Sequence, residues 1–317
     1  MGSRRTRNTA ISVAIEGTYG ATPGTYSAML MTGTPDFQID PDVVPRDLVR
    51  GYFGASEELI GTRRATMKFQ TELAGSSALG TAPEWGKLLR GCGFAETITA
   101  ATRVEYQPVT VSQESLTFKF NRDGVQYLSR GARGTGMFNL DAYGRPVVDW
   151  EFWGFDTQAT AVAVGNPALT AWQRPLVITD LNSGNIKLGS AYAGGNLTGG
   201  TTYNSRGMSI DIGNKLDHMK LLGGESIDIT DRQTTAKAQF ELTEADEVTW
   251  RTDIISNTLS TMSFNIGPAA QNVAFFMTSA QRTKPQTVDY QGKLLMSVDV
   301  RAIPSSTGND ELKIVVK

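Results

Sequence analysis

The chain is nearly without the residues on which many enzyme centres are built. Its 317 residues include one histidine, His218, and one cysteine, Cys92. A lone histidine has no second imidazole with which to complete a metal site, and a lone cysteine makes neither an internal disulfide nor a CxxC zinc pair. Ser–Lys or paired-carboxylate chemistry needs no histidine, so the scarcity weakens the enzyme reading without removing it. Long apolar runs are also missing. Stretches such as residues 273–277 are too short to cross a bilayer, and the basic start at Arg4, Arg5 and Arg7 is not followed by the apolar segment of a signal peptide. The expectation is a protein with no membrane partner, made in a cytosol-like compartment. Excess charge is lacking too: 30 basic residues face 32 acidic ones. No overall basic surplus is present to neutralise a nucleic-acid backbone.

What is plentiful is glycine, 33 residues in an otherwise ordinary composition, 40% hydrophobic and 20% charged. Many glycines imply many turns, which suits an all-β chain. The most informative feature is an internal repeat. The segment Ile60-Gly-Thr-Arg-Arg-Ala-Thr-Met-Lys-Phe-Gln-Thr-Glu-Leu73 resembles Ile229-Thr-Asp-Arg-Gln-Thr-Thr-Ala-Lys-Ala-Gln-Phe-Glu-Leu242. At one fixed offset Gly54/Gly223, Ile60/Ile229, Arg63/Arg232, Thr66/Thr235, Lys68/Lys237, Gln70/Gln239, Glu72/Glu241 and Leu73/Leu242 coincide.

Each copy then runs into a helix start. Thr81 with Glu84 and Pro83, and Thr243 with Asp246, have capping-box spacing. Trp85, Leu88, Leu89 and Cys92 in the first copy, and Trp250, Ile254 and Ile255 in the second, predict one apolar stripe per helix. A β-meander follows each helix: 115–121, 125–128, 137–143 and 146–153, then 259–266, 273–278, 286–290 and 294–302. Glu151 lies between Trp150 and Phe152 as Asp299 lies between Val298 and Val300, so one strand face is apolar and the other acidic. Two long segments, 41–61 and 213–230, fall at corresponding places and read as functional loops. The Gly-, Ser-, Thr- and Asn-rich stretch 181–207 reads as an exposed insertion or linker.

These strings support a resemblance to a known family. Ala14-Ile-Glu-Gly-Thr-Tyr-Gly20, Pro45-Arg-Asp-Leu-Val-Arg50, Phe69-Gln-Thr-Glu-Leu-Ala-Gly75, Pro83-Glu-Trp-Gly-Lys-Leu-Leu-Arg-Gly-Cys-Gly-Phe94 and Gly131-Ala-Arg-Gly134 resemble the tail tube proteins of Gram-negative siphophages and related prophages. Residues 304–316 look like their C-terminal tail. The resemblance implies a mainly β chain of two tandem β-sandwich domains of tail-tube type, each with one short flanking α-helix. The expected division is an N-terminal arm (1–34), a first domain (35–160), a linker and loop insertion (161–207), a second domain (208–303) and a C-terminal tail (304–317). It further implies six such units per ring, hence homotrimeric rings stacked into a tube through which double-stranded DNA passes without specific binding. Tape-measure and tail terminator or tip proteins are the other implied partners. The location implied is the virion tail, assembled in the host cytoplasm.

Candidate ring-ring or subunit contacts are Arg4, Arg5 and Arg7 in the arm, and Arg46, Asp47, Arg50, Tyr52, Phe53, Glu57 and Glu58 in the first long segment. Asp217, His218, Lys220, Glu225 and Asp228 are those of the second. Glu151 and Asp299 are either a lumen wall that repels DNA or the solvated face of a half-buried strand. Gly131-Ala-Arg-Gly-Thr-Gly136 lacks the GK[ST] ending of a phosphate loop and reads as a glycine-rich bend. Glu244, Asp246 and Glu247 suit the first turn of a helix, where negative charge complements the dipole. Cys92 reads as a small core residue. No catalytic, cofactor or metal site is expected. The competing function is a two-domain β-sandwich decoration or glycan-binding adhesin module. Trp85, Trp150, Trp153, Trp172 and Trp250 mostly fall at helix-core or strand positions, which argues against it. A hydrolase has the least support.

Overall fold

The computed structural model describes residues 3–268 and 271–317. The chain is mainly β. In order it forms β1 (Thr9–Ile15), β2 (Ser27–Met29), β3 (Met31–Val44), β4 (Leu59–Glu72), α1 (Gly86–Gly91), β5 (Phe94–Thr99), β6 (Arg103–Pro108), β7 (Leu116–Arg122), β8 (Val125–Asp141), β9 (Val147–Asp156) and β10 (Thr160–Ala161). There follow β11 (Ile186–Ala193), β12 (Asn196–Asp211), β13 (Asn214–Leu221), β14 (Gly224–Arg232), β15 (Thr235–Glu241), α2 (Glu244–Ile255), β16 (Leu259–Ile266), β17 (Val273–Tyr290), β18 (Lys293–Ala302) and β19 (Lys313–Val316).

One set of antiparallel pairings occurs twice. In the first half β1 pairs with β7, β7 with β8, β8 with β9, β9 with β4 and β4 with β3. In the second, β11 pairs with β16, β16 with β17, β17 with β18, β18 with β15 and β15 with β12. Register agrees as well as order. Lys68 lies opposite Glu151 as Lys237 lies opposite Asp299, and Ser12 opposite Lys119 as Lys187 opposite Ser263. Even the irregularities recur: the β7–β8 ladder slips between Leu116 and Phe118, and the β16–β17 ladder between Ser260 and Met262. Bulges bend a strand at a defined point, so their recurrence reflects a shared backbone path rather than a shared composition.

The halves are joined through strands. Residues 137–141 of β8 pair with 207–211 of β12, so the ladder β3–β4–β9–β8–β12–β15–β18–β17 runs continuously from one half into the other. Along it, residues alternate: Met67, Phe69, Trp150, Phe152, Ala236, Ala238, Val298 and Val300 are buried, while their neighbours face outward. This is the period of two that a half-buried strand requires. The buried side forms one apolar cluster with the helix residues Trp85, Leu88, Leu89, Cys92 and Trp250.

Several expectations need correction. β1 and β2 lie within 1–34, and β11 with the first part of β12 lies within 161–207, so these stretches are ladder strands rather than arm and linker. Residues 304–317 end in β19, which is inserted between β17 and β6 with Ile314, Val315 and Val316 buried. The expected loop at 213–230 is a hairpin, β13–β14, closed by Leu222 and Gly223, where Gly223 takes a φ of 91°. At 41–61, β3 and β4 continue to Val44 and from Leu59, so the true loop is 45–58.

The first capping box does not form. Trp85 is the N-cap of α1, in helical conformation and without a side-chain cap. At α2 Thr243 is a true side-chain N-cap, with the Asp246 amide donating to its Oγ1 at 3.2 Å and that hydroxyl donating in turn to the Asp246 carboxylate at 2.7 Å. Glu244, Asp246 and Glu247 occupy its first turn. Ile255, expected on the apolar stripe, is exposed. The segments 125–128 and 137–143 are one strand, as are 273–278 and 286–290. Gly131-Ala-Arg-Gly134 therefore lies inside β8, at a bulge between Arg130 and Arg133, where Gly131 takes a φ of 61°.

Candidate assembly surfaces

The outward face of the long ladder carries Asp36, Lys68, Gln70, Asp149, Glu151, Asp211, Lys237, Ser297 and Asp299 in register across neighbouring strands. Glu151 and Asp299 do share this face. Each is ion-paired: Glu151 with Lys68 at 3.2 Å, and Asp299 with Lys284 at 3.1 Å and Lys237 at 3.8 Å. The wall is thus mixed in sign rather than a plain acidic row. A groove of about 670 Å³ lies over it, lined by Asp36, Lys68, Asp149, Glu151 and Asp211 among others. Its lining is a run of adjacent strand residues, without the convergent polar groups of a small-molecule site.

Two arms project from corresponding places, the outer ends of β3 and β4 with loop 45–58, and the β13–β14 hairpin. They match in register. Val43 pairs with Ile60 as Leu216 pairs with Ile229, and each arm has a bulge just before that pair. The second arm is docked on the first half of the chain. Arg133 donates from Nη1 to Asp228 Oδ1 at 2.5 Å and to the Ile227 carbonyl at 2.9 Å, and from Nη2 to the Gln113 carbonyl at 3.1 Å. Its guanidinium also lies 5.0 Å from the centre of the Tyr19 ring. Asn214 Nδ2 donates to the carbonyls of Cys92 at 2.7 Å and Gly134 at 2.8 Å, which ties the arm to the end of α1. A buried ion pair, Arg232–Glu311 at 2.6 Å, fixes its other root to the C-terminal segment.

The remaining candidates of the second arm serve it internally or reach the first. His218 Nε2 lies 2.5 Å from Glu225 Oε1, with the imidazole largely covered beside Phe155. Thr230 donates to Asp217, whose carboxyl is thereby held below the usual carboxylate range. Lys220 bonds Asp42 of the first arm.

In the first arm Arg46 and Arg50 both pair with Glu57, and Tyr52 and Phe53 are exposed together with Val49. Asp47 and Glu58 are exposed beside them. At the N-terminus Arg4 bonds the Arg122 carbonyl, and the amide of Arg5 donates to Asp123 at 2.5 Å. Arg7 is exposed. Cys92 is wholly buried, which pushes its thiol pKa well up and leaves it unreactive. Sequence reasoning missed Arg133, Tyr19 and Asn214, whose roles arise from contacts between segments roughly a hundred residues apart. The one available sign was positional: Arg133 lies between two glycines, Gly131 and Gly134, in a strand, next to the bend that the positive φ of Gly131 permits.

Residues 6–310 match the family of phage tail tube proteins. With almost the whole chain covered, the protein belongs to that family, and it is a structural component of the phage tail. A comparison with curated proteins finds no match. Among the described residues no helix is long and apolar enough to cross a membrane, and no cluster of potential metal ligands occurs.

Proposed function

We propose that the chain is the self-assembling subunit of a tail tube, in which three copies close into a ring of six similar units and the rings stack into the conduit for DNA ejection. The observation that carries this reading is the doubled pairing pattern, two units spanning roughly 9–156 and 186–302 and joined edge to edge by β8 and β12. A unit that extends its neighbour's sheet removes the unpaired edge groups, and a head-to-tail contact that closes on rotation makes a ring. The polar ladder face, with Glu151 and Asp299 held against lysines, would line the channel. Paired charges present DNA with little net field, so phosphates find few uncompensated cations to bind. The chain acts by assembly and not by catalysis.

The arm residues Tyr52, Phe53, Glu57 and Glu58, with Arg46, Asp47 and Arg50, would meet the adjacent ring. Asp217, Lys220 and Glu225 of the second arm would join them, as would the N-terminal Arg4, Arg5 and Arg7, whereas His218 and Asp228 serve the seam between units, held by Glu225 and Arg133. Tape-measure and terminator or tip proteins would complete the tail, put together in the host cytoplasm. Electron microscopy of concentrated protein is expected to show rings or hollow tubes of threefold molecular symmetry. A chain that stays monomeric at millimolar concentration would refute the proposal.

A further inference from the structure

The chain contains one complete junction between units, and both halves of a second junction are left open at its two ends. The complete one is β8 against β12, with Asn139 opposite Ser209, Phe138 opposite Ile210 and Met137 opposite Asp211. The recurrent ladders identify the counterparts. Asp36 and Ser209 occupy equivalent places, since each lies opposite the matching lysine, Lys68 or Lys237. Val288 and Asn139 are likewise equivalent, opposite Leu295 and Val147. Among the described residues β3 is paired only with β4, and residues 286–290 of β17 only with β18. Each therefore presents one open row of N–H and C=O groups.

The arms carry the same message in their side chains. Ile212 and Leu216 of the second arm are 0% and 9% exposed, covered by the first unit. Their equivalents in the first arm, Ile39 and Val43, are 38% and 45% exposed, and Ile60 is 68% exposed. Ile229, the equivalent of Ile60, places its Cδ1 3.2 Å from where a Cβ on Gly93 would sit, at the end of α1. The corresponding turn at the end of α2 is Ser256–Asn257, where Asn257 takes a φ of 56° as Gly93 takes 76°. Around that turn Ile255 and Leu259 are left exposed, Ile255 at 82%. On the first-arm half, apolar side chains whose equivalents are covered in the closed junction are thus uncovered, and the α2 turn that would receive them exposes apolar side chains of its own.

We infer that a second copy of this chain fills the gap. β3 of one chain pairs antiparallel with β17 of the next, with Asp36 opposite Val288, Phe37 opposite Thr287 and Gln38 opposite Gln286, while Ile60 packs against Ile255 and Leu259 around the α2 turn. This inference rests on the ring proposed above and names its seam. Because side chains alternate faces along a strand, a slip of one residue would reverse every contact, so the register is the sharp part of the claim.

The test uses paired cysteines in the full chain, whose native Cys92 is buried and does not compete. Directly opposed positions place their Cα atoms about 4.5–5.5 Å apart, within the span of about 4.4–6.8 Å that a disulfide bridges. Assembled Asp36→Cys/Val288→Cys protein should oxidise to a ladder that ends at three linked chains on a non-reducing gel. Asp36→Cys/Thr287→Cys, with side chains on opposite faces, should stay monomeric on the same gel. As a second variant, Ile60→Glu should abolish rings while leaving the melting temperature of the unassembled chain unchanged. Unsubstituted protein that forms tubes while the first pair fails to link, or the slipped pair links instead, overturns the seam and leaves the tube standing. Failure of the unsubstituted chain to assemble at all overturns both.

Discussion

The two units share a backbone path but not a core. At equivalent positions the first has Phe69, Phe118, Trp150 and Phe152 where the second has Ala238, Met262, Val298 and Val300, all buried. In the first unit the helix sits close. A Cβ on Gly91 would lie 2.4 Å from Leu116 Cδ1, and one on Gly134 would lie 2.4 Å from the Phe152 ring. In the second, Arg282 stands at the place of Gly134, buried against Asp253 at 2.7 Å and 4.5 Å from the Trp250 ring centre. One pairing pattern therefore accommodates large aromatic side chains at these four positions under a short helix and smaller ones under a longer helix, whose aromatic packing comes instead from Phe240 and Trp250. Burial pattern and pairing carry the fold, while side-chain volume adjusts the distance between layers.

The sharpest test of that contrast truncates equivalent residues in the unassembled chain. Phe152→Ala removes a ring and leaves a cavity, and should cost about 3–5 kcal/mol in chemical denaturation. Val300→Ala removes less, about 2 kcal/mol from methyl transfer plus a small void. Equal losses would mean that side-chain volume at these equivalent positions does not set the packing of the two units. The arms give the next contrast. Arg133→Ala strands Asp228 and two carbonyls, with an expected cost of about 2–3 kcal/mol because Asp228 keeps partial access to water. At the equivalent Gln281, where no arm lies in the unassembled chain, alanine should change stability by less than about 0.5 kcal/mol. A large effect at Gln281 would place an arm over it within one chain.

Smaller changes refine the picture. Gly91→Ala should destabilise by about 1–3 kcal/mol through overpacking on Leu116, despite the better helix propensity of alanine. A neutral result would show that α1 can lift. At the root of the first arm, hydrogen bonds from Arg64 and Thr66 hold the Asp40 carboxyl below the usual carboxylate range. A depressed folded pKa adds stability above the unfolded value, lost as pH falls through the folded one. The small advantage of the native chain over Asp40→Asn in melting temperature should therefore be full at neutral pH and shrink progressively as pH falls below the ordinary aspartate value of about 4. An advantage with no dependence on pH across this range would assign it to packing.

Much of this was legible in the sequence where the repeat is dense. The lysines of β4 and β15, and the carboxylates opposite them, keep their identity, so the central strands and the mainly β class could be read directly. The equivalence of β1 with β11 could not, because the strands share one isoleucine, Ile11 and Ile186, and otherwise only an apolar alternation such as Val13 with Leu188. β19 was hidden for another reason: its partners β6 and β17 come from opposite ends of the chain, and a short apolar run near a terminus looks like a tail until both neighbours are known. The docked arm read as a loop because its charged residues, Asp217, Lys220, Glu225 and Asp228, mask an alternation whose buried members are covered only once the arm folds back on the first unit.

The number of chains that complete one turn of the tube is the most direct measure of the doubled fold's role. Cryo-electron microscopy of an assembled tube should resolve three chains per ring, with each β3 in register against the β17 of its neighbour. A ring of six whole chains, or one whose seams use other strands, would contradict it.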